Sequence, residues 1–197
     1  MMNTTKRVAI MAITAALYTA FFALSLMVTL PNFTLLYLPI ILLGVFPIWF
    51  GWSGLVGSMI GGFIVGAFGE QLYFFGWVEA ICALIIYGLN WLLIARNAAE
   101  AKTKKSLVML IGAYALSLFV GLGYLLWQET FLPALWTPEV ALSVFVPTYA
   151  LNIVIAAIIC PALIRTLSPK LRSWGMYSGT FDEWRNRKKV VNGQENS

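Results

Sequence analysis

Residues Gly51 to Gly69 read GWSGLVGSMIGGFIVGAFG, apolar enough to enter a bilayer and with small residues in rows four apart. One row is Ser53, Gly57 and Gly61; beside it run Gly54, Ser58, Gly62 and Gly66. On a helix, residues i and i+4 share a face. No hydrophobic force drives helices together in lipid, and small residues that let backbones approach closely take its place. The stretch predicts the close-packed centre of a polytopic membrane protein, a helix that holds the fold and does no chemistry of its own.

The rest of the chain agrees. Of its 197 residues 60% are hydrophobic and only 11% charged, with a mean hydropathy of +0.83, a composition that excludes an ordinary soluble domain. Crossing the hydrocarbon takes about 20 apolar residues. Six runs qualify: Val8–Leu30, Thr34–Phe50, Gly51–Gly69, Tyr73–Ala95, Leu107–Trp127 and Ser143–Leu167. The fold class expected is therefore an all-α integral membrane protein with six transmembrane helices over residues 1–168. The second run holds Pro39 and Pro47 and should tilt or break where protein or a cavity covers the freed backbone. The chain should reverse at Phe50-Gly51-Trp52-Ser53. The first run is longer than a signal-peptide core and reads as a retained helix.

Orientation follows from charge. With six spans, all 13 lysines and arginines fall at the N-terminus, between the fourth and fifth runs, or in the tail. The positive-inside rule then makes both termini cytoplasmic. The net charge of +5 reports topology and attraction to anionic lipid, not nucleic acid. Residues 169–197 form a basic cytoplasmic tail. In it Trp174, Tyr177, Phe181 and Trp184 recur at helical spacing and Thr180 to Glu183 matches a capping box, so a short interfacial helix is expected.

Several chemistries drop out. The chain has no histidine, which removes the commonest general base and metal ligand. The Gly51-Trp52-Ser53-Gly54 sequence superficially matches a serine-protease motif, but its serine lacks a base and sits in a turn. Cys82 and Cys160 lie in apolar runs and read as buried small hydrophobes. No G-x-x-x-x-G-K-[ST] loop is present, so ATP hydrolysis is not this chain's work. Neither catalysis, a cofactor nor a metal is expected.

The informative polar residues cluster at one depth. Glu79 lies inside the fourth run, where a carboxylate is costly and by default faces a cavity or a partner. Its helix face continues through Cys82, Ala83, Ile86 and Asn90. Tyr114, Ser117, Gly121, Tyr124 and Gln128 form one stripe of the fifth run. Thr148, Tyr149 and Asn152 share the outer half of the sixth, and Trp136 stands in the outer loop Thr130–Leu142, the longest on that side. Glu79, Tyr124, Gln128, Trp136, Tyr149 and Asn152 are the candidate substrate contacts. A carboxylate among aromatic rings suits a cationic or amine-bearing flat heterocycle, of which thiamine is one example. Ala12, Ala16 and Ala20 form a separate small-residue ridge on the first helix, suited to internal contact or to docking another membrane subunit.

The six-run plan, that alanine ridge and the stretch LPIILLGVFPIWFGWSGLVGSMIGGFIVG (Leu38 to Gly66) together resemble the membrane-embedded substrate-binding subunits (S components) of energy-coupling factor transporters. The resemblance covers Lys6 to Leu167. It implies high-affinity capture of a vitamin or similar micronutrient from outside, at the outer halves of the fourth to sixth helices. It also implies docking through Ala12, Ala16 and Ala20 on a transmembrane coupling subunit, with two ATPase subunits driving release inside. The metal-carrying branch of that family uses N-terminal histidines, which this chain lacks. Two other readings stay open from the residues alone: a self-contained proton-coupled carrier with Glu79 as the relay, and a ligand-free membrane assembly protein.

Overall fold

A computed structural model describes residues 3–27, 29–30, 33–34, 36–67, 74–96, 98–131 and 137–186. Five helices in it are long and apolar enough to cross a membrane. They are α1 (Thr4–Leu26), α2 (Pro39–Ala67), α3 (Phe74–Leu93), α4 (Lys104–Phe131) and α5 (Pro138–Ser173). A short sixth helix, α6, covers residues 181–186. A two-residue antiparallel ladder pairs Thr29–Leu30 (β1) with Phe33–Thr34 (β2) after α1.

The expected second and third runs are both inside α2, and the chain reverses between them at Gly51. Its φ of 50° and ψ of −129° are open to glycine and strained for any other residue. Contacts fix the sense of the two arms. Along the first, Tyr37, Gly44 and Trp49 meet Asn152, Cys160 and Ser168 in turn, so this arm runs parallel to α5. Along the second, Gly57 and Gly61 face Met11 and then Ala15 and Tyr18, so it runs parallel to α1. Gly54 and Gly62 of that arm face Tyr87 and Glu79, antiparallel to α3. The two glycine rows therefore serve different neighbours, one seating α1 and the other α3. A Cβ on Gly57 would lie 2.5 Å from the Met11 carbonyl oxygen, which only close backbone approach explains.

Pro47 and the reversal strip carbonyls of their helical partners, and side chains from elsewhere replace them. Pro47 has no N–H for Leu43; the Asn90 amide donates to the Leu43 carbonyl instead, at 3.1 Å. Asn90 in turn accepts the Ser117 hydroxyl proton at 2.7 Å. The Tyr87 hydroxyl lies 2.6 Å from the Gly51 carbonyl oxygen and 2.9 Å from that of Phe46. Backbone N–H groups of Ser178 and Gly179 donate to the carbonyls of Trp49 and Ile48 at 2.6 and 3.0 Å. The segment after α5 thus folds back beneath the reversal. There Phe181 and Trp184 of α6 turn their rings onto Trp91, and Trp184 also meets Trp52. One half of the expected capping box is formed: the Thr180 N–H donates to the Glu183 carboxylate at 3.1 Å.

Helix ends differ from the hydropathy reading where polar caps extend them. α5 has 36 residues, about 54 Å, and continues past Leu167 to Ser173 despite Pro147, Pro161 and Pro169. It starts at Pro138 because Thr137 caps it, accepting the Val140 N–H at 3.4 Å, and proline suits the first turn. Since α4 also reaches Phe131, the expected loop Thr130–Leu142 gives up Thr130 and Phe131 to α4 and residues 138–142 to α5. Trp136 lies outside the described residues, as do Glu70, Gln71, Arg187, Lys188 and Lys189.

The start of α1, the end of α5 and the segment between α3 and α4 meet at one end of the bundle. The Lys6 ammonium donates to the Trp174 carbonyl at 3.5 Å, and the Arg165 guanidinium to the Ala101 carbonyl at 2.7 Å. Cys82 and Cys160 are free and buried.

Candidate functional site

At the opposite end the first arm of α2 begins late. From Pro39 to the reversal it is about 18 Å long, against roughly 30 Å of hydrocarbon. The N–H groups just before it therefore lie inside the bundle and need partners. Asn152 of α5 accepts the Tyr37 N–H at 2.9 Å, and Ser25 of α1 accepts that of Leu38 at 2.9 Å. The Asn152 amide also donates to the Thr148 carbonyl at 2.7 Å.

Tyr37 is the hub. Its hydroxyl donates to the Glu79 carboxylate at 3.2 Å and is hydrogen-bonded to the Tyr18 hydroxyl. Phe22 meets its ring edge-on at 6.0 Å. Glu79 lies about a turn and a half into α3 and is half-buried. Glu79 and Asn152, two of the residues singled out from sequence, are thus joined through a residue that was not. Tyr18 and Tyr37 had a legible signal: tyrosines in apolar runs whose hydroxyls must find partners once buried. Which partners they find depends on tertiary register, which the sequence does not display.

Of the remaining candidates, Tyr124 and Gln128 lie toward the Glu79 end of α4. The Cys82 thiol meets the Gly121 carbonyl at 3.6 Å, and Gly121 also abuts Ile86, which sets the α3–α4 register. Counting outward at about 1.5 Å per residue, Tyr124 falls roughly level with Glu79, and Gln128 about one turn nearer the helix ends. Gln128 is fully buried, and neither its amide nitrogen nor its oxygen has a hydrogen-bonding partner among the described residues. The Thr148 hydroxyl, next to Asn152, is in the same condition. An unmet buried polar group costs about 1–3 kcal/mol. Tyr149 stands apart on the α4–α5 seam. Its hydroxyl donates to the Ala115 carbonyl at 3.1 Å, and its ring stacks on Phe145. Ala12, Ala16 and Ala20 are all exposed, on the side of α1 turned away from α2. Among the described residues no group of three or more acids and cysteines is placed to hold a metal ion.

This chain is a multi-pass helical membrane protein; among its described residues a polar cluster stands at one end and basic side chains gather at the other. Comparison with family models, with curated proteins and with solved structures finds no match.

Proposed function

We propose that this protein is the membrane-embedded binding subunit of a micronutrient uptake system, similar in plan to the S components of energy-coupling factor transporters. In this reading the two arms of α2 each cross the bilayer of the cell membrane, giving six crossings with both termini cytoplasmic. The alternating directions of the arms and of α3, α4 and α5 support that count, and the gathering of basic residues at one end supports the orientation. The Glu79 cluster then opens outward.

One observation carries the reading: a carboxylate in an apolar helix, hydrogen-bonded to Tyr37 and through it to Asn152, with the buried, unmatched Gln128 amide about one turn nearer the same end of the bundle. A ligand bearing a positive charge and amide-like donors and acceptors would complement both groups. Tyr124 adds an aromatic face. The exposed Ala12, Ala16 and Ala20 would receive the coupling subunit, with ATPase subunits beneath it. A self-contained proton carrier would use the same Glu79–Tyr37–Tyr18 chain as its relay, and would transport without any coupling subunit.

A thermal-shift screen of the purified protein against vitamins, their precursors and amino acids tests this. A ligand at 100 times its dissociation constant adds about 2.7 kcal/mol of stability. A single chemical class of hits is expected. A well-folded sample that no compound stabilises would refute the binding reading and favour the ligand-free assembly protein.

A further inference from the structure

The basic end carries a second candidate site, unrelated to the Glu79 cluster. A cleft of about 420 Å³ lies there, lined by Arg96, Arg172, Tyr177, Glu183 and Asn186. It is formed where the segment after α5 folds back against the end of α3. Its walls are held in place from behind, by the Ser178 and Gly179 backbone bonds under the reversal and by the ring contacts of Phe181 and Trp184 on Trp91.

The charges in and around the cleft pair off unevenly. Arg96 bonds the Glu183 carboxylate at 3.2 Å, which also accepts the Thr180 N–H. Lys102 bonds Glu100 at 3.1 Å, and that hydrogen bond and charge hold the Glu100 carboxyl below the usual carboxylate range. Arg185 bonds Asp182 at 3.3 Å. Arg172 makes no salt bridge among the described residues, and the charges of Glu183 and Glu100 act on it only from further away. Its guanidinium donates to the Tyr177 hydroxyl at 3.1 Å and lies 4.4 Å over the same ring. Those two contacts orient the fork and leave most of its N–H groups open. Burial pushes the Tyr177 phenol above its ordinary value, so it is a neutral hydroxyl at pH 7. Having accepted from Arg172, it keeps its own proton to donate. The exposed Asn186 amide adds further donors.

We propose that this cleft binds a phosphate monoanion, in the form of an anionic phospholipid headgroup. A pre-oriented guanidinium, a phenol O–H and an amide suit a phosphodiester, which arginine can hold through two parallel bonds. Location argues for lipid as the source. The exposed Trp174 stands two residues from Arg172, and Leu92 and Leu93, also exposed, end α3 just before Arg96. Apolar surface of this kind beside a basic cleft suits the boundary between acyl chains and headgroups.

The test uses the full-length protein in detergent, titrated with phosphatidylglycerol, with phosphatidylcholine and with inorganic phosphate, followed by native mass spectrometry and melting point. Phosphatidylglycerol should bind at least tenfold more tightly than phosphatidylcholine. Arg172→Gln should remove that preference without changing the lipid-free melting point. Should Arg172→Gln fail to fold, a photoactivatable phosphatidylglycerol on the wild type should label residues 172–186 above other exposed segments. If inorganic phosphate protects as well as the lipid does, the site stands and its source is soluble phosphate. Equal binding of both lipids, a preference kept by Arg172→Gln, or labelling spread evenly around the bundle overturns the proposal.

Discussion

Replacing Gly51 with alanine tests the architecture at its tightest point. The substitution does two separable things. It places a side chain at φ 50°, ψ −129°, a strain of about 1–3 kcal/mol for a non-glycine residue. It also puts a Cβ 2.5 Å from the Ser178 Oγ and 3.2 Å from the Trp91 ring. If Ser178 moves away, its N–H bond to Trp49 is lost, for about another 0.5–1.5 kcal/mol. Gly51→Ala should therefore cost about 2–4 kcal/mol in reversible unfolding in mixed micelles. Ser178→Gly removes the clashing hydroxymethyl group and leaves the backbone strain. The double variant should thus recover the smaller part and keep the larger, and the cycle separates the two. Gly51→Ala within about 0.5 kcal/mol of wild type, inside the scatter of neutral substitutions, would refute the reversal.

Other expectations follow from particular contacts. Asn90→Ala should cost about 1–2 kcal/mol, because it strands the Leu43 carbonyl and leaves the Ser117 hydroxyl only its weaker acceptor, the Tyr114 carbonyl at 3.1 Å; adding Pro47→Ala should recover part of this by restoring the N–H that Leu43 lacks, measured by the same unfolding assay. Tyr37→Phe should destabilise the Glu79 end of the bundle by about 1 kcal/mol and speed amide exchange at the start of α2, since Glu79 and Tyr18 both lose a partner. Gly57→Val should lower stability by about 1–3 kcal/mol through overpacking against Met11 and Thr14. Ala16→Trp, on the exposed face of α1, should leave the melting point and ligand binding unchanged but abolish uptake in cells; full uptake by that variant would remove the docking role of the ridge.

The sequence displayed the fold through its commonest interactions and hid the site's particulars. Apolar runs and glycine rows mark the helices and the close-packed centre, because burial in lipid and close backbone approach act on local composition. The break at Phe50-Gly51 was legible for the same reason, as a glycine between two apolar runs. Helix ends were legible in the caps, yet hydropathy alone carries the first helix on to Leu30 where it ends at Leu26, and starts the last at Ser143 where it begins at Pro138: Thr137-Pro138-Glu139 is a helix start written in polar residues. What sequence could not show is which distant groups satisfy which others. Asn90 lay on the Glu79 face, and only the fold reveals that it replaces the donor Pro47 lacks. Asn152 was picked out as a polar residue inside the membrane, and the fold adds that it holds the first N–H of the α2 turn. The role of Tyr37 is not visible in the sequence because it depends on three other helices meeting it.

The proposed binding role of the Glu79 cluster is tested most directly by equilibrium titration of the purified protein with vitamin-like heterocycles, wild type beside Glu79→Gln. Saturable binding to the wild type is expected, at least tenfold weaker in Glu79→Gln, with the ligand-free melting points alike. Absence of binding to a folded wild type, or equal affinity in the two proteins, would contradict the role given to the Glu79 cluster.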